Sequence, residues 1–254
     1  MDPWNKLTHN FSDPGGIDRA PSGCTDNIFI AWSSMLHMIQ EAFKEPRGLK
    51  ALDIGCGAGY FCNKLRSLGL EVTGVDTSEA MINIAGQHLP QDITLIAGGL
   101  DSIQSVEAYE LVTAVMVFQF IEDIEGILTR VDYVLKPFGL LAFAVFNPLF
   151  VASRIDKGSI FKDFDSTEKP RRGIMELSEG VRVPVFTRSA AEYTKLLESM
   201  GYQRTALDCP PFTEDFCENY PMDYPSVDPE FLILGFRKMT FGNIVSAKAK
   251  NYFI

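Results

Sequence analysis

The sequence has little that would cross-link the chain, span a bilayer or grip a polyanion. Its five cysteines, Cys24, Cys56, Cys62, Cys209 and Cys217, form no C-x-x-C pair. An odd count without that spacing argues against a disulfide framework or a zinc site, so no metal is expected. Free thiols in a reducing cytoplasm are the expectation. The longest apolar run, Leu140 to Phe146, has seven residues, far short of the roughly 18 that a membrane span needs. The opening stretch MDPWNKLTHN is polar and aromatic, not basic then apolar, and predicts no secretory leader. Basic residues are scarce: Lys plus Arg is 23 against 33 Asp plus Glu, a net charge of −10. That balance opposes the positive footprint needed to hold nucleic acid or an anionic membrane surface, and neither partner is expected. Only three histidines are present, His9, His37 and His88, so general bases are few. At 46% apolar and 22% charged the chain is not disordered. A chain of 254 residues suffices for one large domain that buries roughly 70–75% of its unfolded surface.

What is present is an alternation of periods. Residues 1–25 carry Pro3, Pro14-Gly15-Gly16 and Pro21-Ser22-Gly23 and predict an irregular arm. Ile28, Trp32, Met35, Leu36, Ile39 and Phe43 share one face at a spacing near 3.6 and predict a helix that Pro46 ends, with His37 on its polar face. Lys50 to Ile54, Leu70 to Val75, Ile93 to Ala97, Leu111 to Phe118 and Leu140 to Phe146 read as strands, the fourth apolar enough to be covered on both faces. Helical patterns separate most of them, one stopped by Pro137. The expected fold is α/β: a doubly wound, Rossmann-like, seven-stranded, mostly parallel sheet with helices on both faces. Residues 148–187 break the rhythm, and Val181 to Phe186 with Ile174 to Leu177 predict a hairpin about Ser178-Glu179-Gly180. A forty-residue excursion is too long for a connector. Ser189 and Glu192 form a capping box for the next helix. Tyr202 to Cys209 and Phe231 to Phe236 would close the sheet. One domain is expected: an arm and helix (1–48), a ligand-binding core (49–147), an inserted cap (148–187), and a last helix, hairpin and tail (188–254).

The informative stretch is Leu52-Asp53-Ile54-Gly55-Cys56-Gly57-Ala58-Gly59-Tyr60-Phe61. Glycines between a strand and a helix bring backbone close to a ligand. The spacing is G-x-G-x-G, not the G-x-G-x-x-G of dinucleotide folds, and no Gly-Lys-Ser/Thr follows to make a P-loop. Asp76 ends the next strand, 21 residues past Gly55, where an acid can accept from both hydroxyls of a ribose.

The runs LDIGCGAGY, VTGVDTSEAMI, YELVTAVMVFQFIED and VLKPFGLLAFAV resemble the four successive motifs of class I S-adenosylmethionine-dependent methyltransferases. The resemblance covers residues 49–147 and extends more weakly through VFTRSAAEYTKLLESMGY to FLILGFRK, like the small-molecule members. It implies S-adenosyl-L-methionine as cofactor and S-adenosyl-L-homocysteine as product. It implies that Gly55, Cys56 and Gly57, with Tyr60, wrap the methionine part, that Asp53 faces its ammonium and that Asp76 holds the ribose. Thr77 and Met81 would lie along the adenine, and Val115 would offer its carbonyl. The motif after the third strand normally carries an acid for the adenine amino group. Here Gly99 stands in its place, leaving backbone contacts from Gly99 and Leu100, or Asp101 as a substitute. Where relatives carry histidines after the fourth strand, this chain has Gln119 and Phe120. Phe138 replaces the second glycine of the usual turn, at an expected small cost.

Methyl transfer from a sulfonium needs alignment and exclusion of water more than acid–base help. His37 and His88 are expected to be solvated, which leaves His9 and Gln119 as the candidate catalytic side chains. Trp4, Phe11, Phe118, Phe120, Phe146, Asn147 and Phe150 are the expected acceptor walls. Arg154, Arg171 and Arg172 would more simply be solvated than recognise an acid. The expected function is methylation of a nitrogen, or less readily an oxygen or carbon, of a small, largely apolar aromatic molecule by a cytoplasmic monomer or homodimer. The alternatives are a cofactor-binding protein that does not methylate, or an RNA or protein methyltransferase.

Overall fold

The computed structural model describes residues 3–8, 30–155, 160–165, 170–177, 180–219 and 228–239. A first helix, α1 (Trp32–Ala42), precedes the alternating core: β1 (Lys50–Ile54), α2 (Tyr60–Ser67), β2 (Glu71–Asp76), α3 (Glu79–His88), β3 (Thr94–Ala97), β4 (Tyr109–Val115), α4 (Ile124–Val134) and β5 (Leu135–Phe146). The inserted cap holds α5 (Pro148–Arg154), β6 (Phe161–Lys162), β7 (Arg171–Glu176) and β8 (Arg182–Thr187). The chain then returns through α6 (Ala190–Ser199), β9 (Tyr202–Asp208), α7 (Glu214–Asn219) and β10 (Phe231–Lys238). The main sheet has seven strands in the order β3-β2-β1-β4-β5-β10-β9. The pairings among β1 to β5 are parallel, and β10 runs antiparallel to both its neighbours. This is the doubly wound α/β sheet that the alternation predicts.

Strands β1, β4 and β5 are buried on both faces because helices cover both. On one side Leu52, Val112 and Phe143 pack with Leu128 and Val131 of α4 and Tyr193 and Leu197 of α6. On the other, Ala51, Leu111 and Ala142 pack with Met35 and Ile39 of α1 and Phe61 and Leu65 of α2. The small side chains of β5 on that side, Ala142 and Ala144, leave room for α1. A third apolar cluster lies beneath the cap, where Met175, Val183 and Val185 of the hairpin meet Phe146, Phe150, Phe161 and the N-terminal Leu7. Ser189 caps α6 as predicted: its hydroxyl accepts from the Glu192 amide, and the Glu192 carboxylate accepts from the Ser189 amide at 2.8 Å.

Several boundaries differ from the sequence reading. The fourth strand ends at Val115, not Phe118. Met116 adopts φ 57 and turns the chain into a 3-10 turn over Phe118–Phe120. Helix α4 ends at Val134, ahead of Pro137, since the residues before a proline resist the helical region. Helix α7 carried no periodic signal long enough to be read.

The replacement of glycine by Phe138 is not free. Its backbone sits at φ 62 with its side chain 49% exposed, and Arg237 donates to its carbonyl at 2.9 Å. A bulky residue in the left-handed region costs about 1 kcal/mol or more, while an exposed ring returns little. Phe138→Gly is therefore expected to raise the free energy of unfolding by about 1 kcal/mol, read from the urea midpoint. An unchanged or lower midpoint would show that the turn carries no strain.

Candidate active site

The sheet order reverses between β1 and β4, and the crevice beyond their carboxyl ends is where open α/β sheets take ligands. The turn from β1 into α2 lies there. Gly55, Gly57 and Gly59 adopt φ 64, 53 and 79, a region open to glycine without strain. At Gly55 the need is also spatial, since a Cβ would stand 2.5 Å from Val117 Cγ2. The turn is tied to β2: the amides of Gly55 and Cys56 donate to the Val75 carbonyl at 2.8 and 3.1 Å. The next amide, Gly57, donates to Asp76 Oδ2 at 2.8 Å, and Ser78 donates to Oδ1 at 2.8 Å. Around the place where a Cβ of Gly57 would stand, no atom lies within 4 Å.

Asp53 is buried behind this turn. Thr113 Oγ1 donates to its Oδ1 at 2.7 Å, and Cys62 Sγ to its Oδ2 at 3.4 Å. Burial, only partly offset by those two bonds, pushes its carboxyl pKa up to about 7, with the charge of Asp76 adding to the rise.

A cavity of about 500 Å³ opens in front of these groups, within the usual range for small-molecule sites. At one end it is lined by Asp53, the glycine turn, Tyr60, Asp76, Thr77 and Met81, with Gly99, Leu100 and Val115 beside them. The other end is lined by Trp4, Gln119, Phe120, Phe146, Met175 and Leu177. Trp4 meets Phe120 edge-on, ring centroids 4.9 Å apart at 66°. The segment carrying Trp4 is fixed by Leu7 in the third cluster and by Asn5, whose Oδ1 accepts from the Ser78 hydroxyl at 2.6 Å.

Three expected walls stand elsewhere. Phe118 is fully buried and packs on Phe143 at 5.0 Å, because the 3-10 turn aims it into the core. Asn147 caps α5, accepting from the Leu149 amide at 3.1 Å. Phe150 lies in the cluster beneath the cap, with the Arg154 guanidinium over its ring. None of the three lines the cavity. Asp101 is turned outward onto Arg130 at 3.0 Å and does not replace the missing adenine acid. His37 is exposed as expected, but His88 is half-buried and stacks on Tyr60 at 5.0 Å. His9 and Phe11 lie outside the described residues.

The cavity also holds residues that the sequence did not mark. Met175 and Leu177 come from the cap hairpin, whose existence was legible but whose inner face was not. Met116 lines the cavity with a strained backbone, a hallmark of functional sites. Arg188, 5% exposed, donates to the carbonyls of Phe118 at 3.4 Å and Glu122 at 2.7 Å and so holds the turn that carries Gln119. Gln119 is itself 1% exposed, and neither its Nε2 nor its Oε1 has a hydrogen-bond partner. Leaving such a group unpaired costs about 1–3 kcal/mol.

Comparison with known proteins agrees with this geometry. Residues 52–143 match the family described as methyltransferase domain. The match spans β1 to β5, the part of the chain that carries the glycine turn and Asp76. A ubiquinone biosynthesis O-methyltransferase of Bradyrhizobium diazoefficiens is 35% identical over 103 residues, 39% of this chain and 41% of that protein. The chain thus spans about two fifths of the curated relatives it matches. In fold it is similar to an S-adenosylmethionine-dependent methyltransferase from Mesorhizobium loti, with TM-score 0.63 and 23% identity, covering 87% of this chain and 100% of that one. It is also similar to the Burkholderia thailandensis 1,6-didemethyltoxoflavin-N1-methyltransferase, solved with 1,6-didemethyltoxoflavin and S-adenosylhomocysteine. There the TM-score is 0.55 and identity 16%, over 83% of this chain and 79% of that one.

The Asp53 carboxyl yields a pH dependence of known sign. Its folded pKa of about 7 lies above its ordinary value of 3.8, so the folded protein keeps a proton that the unfolded chain releases. The stabilisation is full below the lower value and is lost as pH rises through the upper one. The unfolding free energy of the wild type, minus that of Asp53→Asn, should fall across this window and level off above it. Urea denaturation at a series of pH values measures this, and a flat difference would place the Asp53 pKa near its ordinary value.

Proposed function

We propose that the protein transfers a methyl group from S-adenosylmethionine to a small, largely apolar aromatic molecule. The observation that carries this reading is a single cavity with the glycine turn and two aspartates at one end, and aromatic walls around a lone amide at the other.

The residues fit the cofactor. The open space at Gly57 leaves its backbone free to approach a ligand. Gly55, Cys56 and Gly57 would hold the methionine part, Asp53 its ammonium and Asp76 the ribose. Thr77, Met81, Gly99 and Leu100 would bound the adenine. The cofactor supplies a methyl on a positively charged sulfur, a leaving group that is already activated. The chain's task is then to align the acceptor and exclude water. Trp4, Phe120, Phe146, Met175 and Leu177 offer an apolar enclosure for this, and aromatic faces also favour a cation. Gln119 neither takes nor gives up a proton near neutral pH. An acceptor bringing its own lone pair, a ring or amine nitrogen, suits such a site. The O-methyltransferase relative favours oxygen as the second reading, on a similarity that covers 39% of this chain.

Two measurements test the reading. At about 100 times the dissociation constant, S-adenosylhomocysteine should raise the melting temperature by roughly 5–10 °C, and NAD should leave it unchanged. Asp76→Ala should weaken S-adenosylhomocysteine binding by about 1.5–3 kcal/mol in calorimetry, the loss of charge-assisted hydrogen bonds. Wild-type affinity in that variant would remove Asp76 from the cofactor site.

A further inference from the structure

Thr113 is a polar residue in the apolar middle of β4. Its neighbours Leu111, Val112 and Ala114 are all buried, and Thr113 is itself 0% exposed. A hydroxyl taken out of water costs free energy unless it is bonded, and a valine of the same shape would fill the position without that cost. The register of the sheet gives the hydroxyl its partner. In the rung that crosses β2, β1 and β4, Gly74, Asp53 and Thr113 stand side by side. Gly74 brings no side chain, and a Cβ there would meet the sulfurs of Cys56 and Cys62 at 2.8 and 2.9 Å. Thr113 is therefore the strand neighbour able to donate to Asp53, and it does so at 2.7 Å.

Little else favours charge on Asp53. Burial raises its carboxyl most, and the Thr113 bond is the strongest of the opposing influences. The titratable groups that face it are Asp76 at the end of β2, whose charge opposes a second one, and Cys62 of α2, with Cys56 beside it. The Cys62 thiol is itself pushed well up, first by Cys56 and then by burial, so it stays a donor, at the longer distance of 3.4 Å. Among the described residues no cationic side chain lines the cavity.

We propose that Thr113 is a positioning residue for the cofactor end of the cavity, its hydroxyl keeping the Asp53 carboxylate in the ionised form that a ligand's ammonium group needs. The proposal deepens the methyl-transfer reading and rests on it for the ligand, while the hold of Thr113 on Asp53 stands without one.

The test is calorimetric titration of the full chain with S-adenosylhomocysteine from about pH 6 to about pH 9, in the wild type, Thr113→Val and Thr113→Ser. Without the hydroxyl, Asp53 keeps its proton to higher pH. Thr113→Val should therefore bind about fivefold to tenfold more weakly at the acid end, and the gap should close toward the alkaline end. The ligand's own amine titrates alike in every variant and cancels from the ratio. Thr113→Ser retains the donor and should follow the wild type. Equal binding by Thr113→Val throughout, a loss that is the same at every pH, or a serine variant that behaves like the valine one overturns the proposal. A second arm uses no ligand. The pH at which the wild type loses its stability advantage over Asp53→Asn should move upward when both carry Thr113→Val; an unmoved profile overturns the proposal as well. Thr113→Ala removes the same hydroxyl and replaces Thr113→Val in both arms if the valine variant does not fold. Failure of the wild type to bind S-adenosylhomocysteine overturns the methyl-transfer reading instead, and the second arm then decides whether Thr113 holds the Asp53 charge.

Discussion

The hold that the end of β2 keeps on the glycine turn is the constraint on which the rest of the site depends. Three successive amides, from Gly55 to Gly57, donate to Val75 and Asp76. The same Asp76 carboxylate accepts from Ser78, the residue that caps α3. One side chain therefore joins a turn, a strand end and a helix start. A surface built this way has little ordering left to do when a ligand arrives, and that saving goes directly into affinity. The tie continues outward: the Ser78 hydroxyl donates to Asn5, and the residue before Asn5 is a wall of the acceptor end.

The acceptor end is organised by a different device. Past β4 the chain makes a tight 3-10 turn in which Phe118 packs into the core and Gln119 is buried beside the cavity. Burial of the first positions the second. Arg188 secures the turn from the far side of the cap, using a buried cation as a donor to backbone rather than as half of an ion pair.

Much of this was legible in the sequence, for identifiable reasons. Strand and helix periods alternate cleanly because the central strands β1, β4 and β5 are covered on both faces, and glycines recur where backbone must turn with positive φ. Asp53 and Asp76 stood out because they end strands beside that turn. The walls were harder to read. Phe118, Asn147 and Phe150 have the composition of a pocket, yet β4 ends three residues before Phe118, and the 3-10 turn that follows sends that ring into the core. Met175 and Leu177 reach the cavity only through a hairpin folding back over it, and Arg188 acts through backbone carbonyls 66 and 70 residues away. Such contacts leave no local pattern.

Among the described residues, the three strands of the cap pair with each other and share no ladder with the main sheet. Its inner face nevertheless supplies part of the cavity, while the segment matching the methyltransferase family ends at residue 143, before the hairpin begins. The chain thus divides its labour along its length. The stretch inside the doubly wound sheet carries the glycine turn, Asp53 and Asp76. The strands of the separate flap pair outside the seven-stranded sheet, so substitutions on its inner face leave that sheet's pairings intact. In this architecture, a change of diet need not put the skeleton at risk.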